Sequence, residues 1–81
     1  MTWNHRVVRH HVEIVTTWGD ESYDELSIHD VYYADDGKIE AWSPAPSYAL
    51  GGTADELLED VLTIATALTR PILDETELPS A

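Results

Sequence analysis

The sequence predicts an α+β domain in which a three-stranded antiparallel meander packs against one C-terminal amphipathic helix, in the order βββα. Three observations carry this. The first half holds Val- and Ile-rich segments without Gly or Pro, an Asp36-Gly37 pair separates two of them, and a capped stretch of helical periodicity runs from Ala54 to Arg70.

The first strand is expected at about 3–15, where WNHRVVRHHVEIV combines β-branched residues with an absence of breakers. Its phase of Asn4, Arg6, Val8, His10, Val12 and Ile14 is the better candidate for the core. TTWGDESYD, Thr16 to Asp24, is turn chemistry, so the chain is expected to reverse there. The second strand follows at about 25–34. Leu26 and Ile28 lie in one phase, Val31 and Tyr33 in the other, which means a bulge near His29 and Asp30, the favoured reading, or a strand partly covered on both faces. Asp36-Gly37 is the strongest hairpin signal, because Gly accepts the positive φ of a tight turn, and it returns the chain into a third strand at about 38–43. Residues 44–52 hold two Pro and two Gly and read as a loop.

Thr53 opens T-A-D-E, a capping box in which the hydroxyl accepts from the Glu56 amide and the Glu56 carboxylate reaches back to the Thr53 amide. A helix of about 25 Å follows over about 54–70. Leu57, Leu58, Val61, Leu62, Ile64, Ala65 and Leu68 form its stripe, with Asp55, Glu56, Glu59 and Asp60 largely outside it. Arg70 suits the negative helix end and Pro71 stops the helix. Ile72 and Leu73 are expected to tuck back against the core, and residues 74–81 to form a frayed acidic tail. The whole chain reads as one domain without repeats.

Composition bounds the function. Sixteen Asp and Glu against four Lys and Arg give a net charge of -12. Direct nucleic-acid binding, which needs clustered cations, is disfavoured, and a partner with a basic surface is favoured. The absence of Cys removes disulfides, thiol catalysis and Cys-ligated zinc. No leader-like or membrane-spanning run is visible, so the expectation is a cytoplasmic protein with no membrane association.

Against this acidity, Trp3 to His11 concentrates Arg6, Arg9, His5, His10 and His11. Three readings are open. If the first two strands pair through a turn near Gly19 and Asp20, Asp30 falls opposite Arg9 or His10 and neutralises the strand internally. Alternatively, Arg6 and Arg9 with flanking rings form a recognition strip. The last reading is a metal site from His10, His11 and His29 with Asp30, although adjacent His10 and His11 point to opposite faces of a strand. No cofactor is implied. No catalytic motif is present, and His29-Asp30 is a dyad in sequence alone, so the chain is read as non-enzymatic.

One helix covers one face of a small sheet. Trp3, Val7, Tyr32 and Trp42 are the expected occupants of the other face, which implies a homodimer or a protein-binding surface, with the loop and tail as the alternative cover.

WNHRVVRH at 3–10, IHDVYYADDGK at 28–38 and the TRPIL helix end resemble a group of short bacterial and phage proteins with W-N-x-R-V-V-R-H and I-H-E-V-Y-Y-D-x-D-G-K motifs and a K-P-V-L ending. Asp30 stands in place of the usual Glu and Arg70 in place of Lys, while Val12 to Asp24 has no counterpart. The resemblance implies the compact β-plus-helix fold and brings no activity or site. Its phage context, with small size and acidity, is similar to that of anti-CRISPR inhibitors, which block a host nucleic-acid path.

Self-repulsion at this charge weakens the compact state at low ionic strength. The melting temperature is therefore expected to rise between low and moderate salt, followed by circular dichroism, and a flat response would contradict the argument.

Overall fold

The computed structural model describes residues 1–79. Four strands, β1 (Thr2–Thr16), β2 (Gly19–Tyr33), β3 (Ile39–Trp42) and β4 (Leu73–Asp74), form one sheet ordered β3-β2-β1-β4. Helix α1 (Ala54–Ala65) continues into a 3₁₀ turn at Thr66–Thr69, and a second 3₁₀ turn occupies Glu75–Glu77. The class is α+β with a C-terminal helix, but the sheet has four strands and is mixed, since β4 runs parallel to β1. No helix among the described residues is long and apolar enough to cross a membrane.

The hairpin of β1 and β2 is longer than its sequence suggests. The chain reverses within Thr17 and Trp18, Gly19 takes φ +133, and pairing begins at once with Thr16 opposite Gly19. Residues 20–24 are thus strand and not turn. Their polar side chains cost nothing there, because that part of the ribbon has water on both faces. The early turn also moves the register. Asp30 lies opposite His5, while Arg9 faces Leu26 and His10 faces Glu25, so the expected pairing of Asp30 with Arg9 or His10 does not occur.

No bulge interrupts β2 at His29 and Asp30; the irregularity sits between Tyr32 and Tyr33, on the β3 side. The change of phase along β2 has the other cause, cover on both faces. Trp3, His5, Asp30 and Ile28 line clefts shared with Asp60, Val61 and Ile64, which places α1 over that side. On the opposite side, Arg6 donates to the Pro71 carbonyl at 2.7 Å, Glu75 meets His10, and the Trp42 indole donates to the Pro79 carbonyl at 2.6 Å. The C-terminal segment is therefore a strap across the sheet and not a frayed tail, apart from residues 80–81 of that expectation, which lie outside the described residues. Leu73 is half-buried beside Val8, as expected of a residue returning to the core, whereas Ile72 stays largely exposed.

Two covered faces explain a core of consecutive residues, with Val7 and Val8 both buried alongside Val31, Ala67, His5 and His29. Gly37 takes φ 84 in the turn between β2 and β3, closed by Gly37 N–H to Ala34 O at 2.9 Å, as the sequence demanded. The loop after β3 keeps to the sheet edge, where the Ser47 amide donates to Ile28 O at 2.7 Å. Half of the capping box forms. The Glu56 amide donates to Thr53 Oγ1 at 3.2 Å, but the Glu56 carboxylate accepts from the Gly52 amide instead of that of Thr53. Arg70 closes the far end by donating to Thr66 O.

The molecule is open for its size. Its radius of gyration is 15.2 Å where a compact chain of this length has about 12 Å. It exposes 5916 Å² where about 4,900 Å² is usual for this mass. Val8 sits at the centre of the buried part, 0% exposed. Val8→Ala is expected to lower stability by about 2 kcal/mol in urea unfolding. A loss below about 0.5 kcal/mol, the range of surface substitutions, would remove Val8 from the core.

Candidate functional site

The basic stretch of β1 meets acceptors within its own chain. Arg6 donates to the Tyr33 hydroxyl at 2.9 Å and to Pro71 O, with its Nε buried and unbonded. Arg9 lies 3.8 Å from Asp74. His11 stands between two carboxylates, with Nδ1 at 2.7 Å from Asp24 and Nε2 at 3.0 Å from Asp74. His5 Nδ1 is 2.9 Å from Asp30 Oδ1, but off the line of a hydrogen bond, so this buried nitrogen has a neighbouring charge and no bonded partner. The concentration of cations is therefore balanced internally, chiefly by Asp74 and Glu75 and not by Asp30 alone.

The strand register brings His10, Ser27 and His29 onto one face, the side under the strap. His10 Nε2 and His29 Nε2 are 3.0 Å apart, and the Ser27 hydroxyl oxygen is 2.9 Å from the first and 2.8 Å from the second. The other ring nitrogens are also engaged, His10 Nδ1 with Glu75 Oε2 at 3.0 Å and His29 Nδ1 with the Ser43 carbonyl at 2.9 Å. Trp42 packs on both rings, its ring centre 5.9 Å from that of His10 and 5.0 Å from that of His29. His29 is 1% exposed. His11 projects from the other face of β1, so the three histidines do not form one site. Among the described residues no three His, Asp or Glu side chains are arranged to hold a metal ion.

Ser27 and Glu75 were not singled out by the sequence. Ser27 could have been found from its i, i+2 relation to His29 on a strand. Glu75 could not, because its place depends on the strap. Ser27, His10 and Glu75 follow one another in the order of a nucleophile, base and acid. The clefts described above are lined by other residues, and Ser27 bonds to a second imidazole where an acyl group would have to approach.

The charges follow from these contacts. Hydrogen bonds to Asp24 and then Asp74 raise the His11 pKa above 6.5, while burial pushes that of His29 below it. Asp74 is held down to about 2, mainly by the Thr76 hydroxyl and amide. Glu75 is held below its ordinary value by the His11 amide and then by His10.

The remaining candidates divide between the two faces. Trp3 is 56% exposed and packs edge-on against His5 and beside the half-buried Tyr32, on the helix side. Val7, on that same side, is buried, and Trp42 is half-buried on the strap side, so these residues do not share one uncovered face. Asp55, Glu56 and Glu59 face solvent, while Asp60 is half-buried and accepts from the Leu50 amide at 2.9 Å. On α1, Leu58 is 57% and Leu62 60% exposed. No family model matches the chain, and neither a characterised protein nor a solved structure is significantly similar to it.

Stability is expected to peak between the carboxylate range and neutrality. Asp74 and Glu75 contribute above the unfolded carboxylate range, and this is lost as pH falls, for Asp74 toward about 2. His29, kept neutral by burial, adds a loss below 6.5, where the unfolded chain takes up the proton first. His11 contributes fully below 6.5 and loses its part as pH climbs through its raised value. Imidazole proton resonances should titrate above 6.5 for His11 and below it for His29, and the reverse order would contradict this arrangement.

Proposed function

We propose that the chain is a non-catalytic, acidic protein-binding module that works as a homodimer joined through α1. One observation carries the reading: the apolar stripe of α1 is only partly covered by its own sheet, with Ile64 and Ala65 half-buried toward it and Leu58 and Leu62 left in solvent. At 100° per residue, Leu57, Leu58, Val61, Leu62 and Ala65 fall within an arc of about 140°. No residue of α1 is buried, and Leu57 and Val61 are 42% and 45% exposed. A helix that satisfied its stripe within the chain would show the opposite pattern.

A second copy is the occupant that the exposed leucines favour. Much of the surface excess belongs to the outer hairpin, and on α1 a stripe-to-stripe contact would bury Leu58 and Leu62, which are 57% and 60% exposed. The charges agree, because Asp55, Glu56, Glu59 and Asp60 occupy the rest of the helix circumference and would stay outside a stripe-to-stripe contact. The same arrangement leaves an acidic surface on each outer side of the dimer. That surface suits a basic groove, and an anti-CRISPR-like block of a host nucleic-acid-binding defence complex is its concrete version. The Trp3–Tyr32 pair beside the exposed edge of the helix extends the surface, whereas Arg6 and Arg9 act in internal bonding.

Sedimentation velocity is expected to give a dimer whose population grows with salt, as like-charge repulsion between copies is screened. The double substitution Leu58→Glu and Leu62→Glu should give a folded monomer, because both positions are exposed within one chain. A wild-type monomer at high concentration and moderate salt would overturn the dimer, and charge reversal of Asp55, Glu56 and Glu59 without effect on capture of a basic partner would overturn the acidic docking face.

A further inference from the structure

We propose that Nε2 of His10, Nε2 of His29 and the Ser27 hydroxyl together bind one first-row divalent transition-metal ion. The Ser43 carbonyl can only accept, and so can the ionised Glu75 carboxylate, so each histidine carries its proton on Nδ1. Both Nε2 atoms then carry bare lone pairs and lie 3.0 Å apart. The Ser27 hydroxyl has a single proton and can satisfy one of them. One lone pair remains pressed against another inside a half-buried site, and the cluster lacks one positive charge at that point.

The geometry suits a metal ion there. The three donor atoms form a triangle with edges of 2.8, 2.9 and 3.0 Å. Adjacent ligands of a six-coordinate ion with bonds of about 2.05 Å are about 2.9 Å apart, whereas tetrahedral ligands stand about 3.35 Å apart. An ion about 1.2 Å above the triangle would thus reach all three donors at ordinary bond lengths. Imidazole donors select the nickel, cobalt, copper and zinc group, and the short edges favour its six-coordinate members. Each imidazole is already oriented through its Nδ1 by a carboxylate or a carbonyl, the outer arrangement that metal-ligating histidines require. Trp42 packs on both rings and shields them on one side.

The test uses the full chain, stripped with a chelator and titrated calorimetrically with Ni²⁺, with Co²⁺ absorption as a second reading. Saturable uptake of one ion per chain, with the weak visible bands of six-coordinate cobalt, is expected. His10→Gln, at a partly exposed position, should abolish it while circular dichroism confirms the folded chain. Glu75→Gln should weaken it by about 10- to 100-fold. His11→Gln, on the opposite face, should leave it unchanged. No saturable uptake by the wild type would mean that a shared proton fills the gap, and would overturn the proposal. Uptake that survives His10→Gln, or disappears with His11→Gln, would assign the ion to the surface carboxylates around His11 and overturn it equally. None of these outcomes depends on the oligomeric state.

Discussion

The rest of the structure depends on the closure of Asp74 and Glu75 onto the basic stretch of β1. Two adjacent carboxylates meet Arg9, His10 and His11, together with the His11 amide, and so convert the end of the chain into an edge strand and a strap. Partly buried charges are costly unless paired, and here each side of the pairing supplies what the other lacks. Covering this second face is what allows His29, Val8 and Val31 to be buried together in so short a chain.

The local grammar of the chain was legible. Asp36-Gly37 gave its turn and Thr53 its cap, because each depends on neighbours a few residues away, whereas the α-helix expected to about 70 ends at Ala65 and only a 3₁₀ turn reaches Thr69 before Pro71. What depended on distant partners was not. Asp20 to Asp24 has the composition of a turn, and only an unburied ribbon makes a strand of it harmless. Glu75 has the composition of a tail, and only its bond to a residue 65 positions earlier gives it a role. The candidate site divides in the same way. His10 and His29 stood out by type, but their convergence follows from a register set at Thr17 and Trp18, and Ser27 joins them by strand alternation.

Charge and openness are linked in this molecule. A chain with so few basic residues turns all three Arg and all four His onto groups of its own, leaving most carboxylates facing water. The apolar stripe of α1 is a strip without charge on a largely acidic body. Repulsion elsewhere discourages indiscriminate association, so the uncharged strip also sets the orientation in which two bodies can meet.

The outer half of the hairpin has a consequence of its own. β3 pairs with β2 only from Val31 to Tyr33, and β4 with β1 only at Val8 and Arg9, so from Val12 to Leu26 the two strands have no lateral neighbour. A two-stranded ribbon in water is marginal by itself. Amide exchange along it should grade from fast at Trp18 to slow at the base, giving the chain a soft distal limb on a firm root. The carboxylates of Glu13, Asp20, Glu21 and Asp24 along that limb then have a protective use, since they keep its open edges from recruiting stray strands into fibrils.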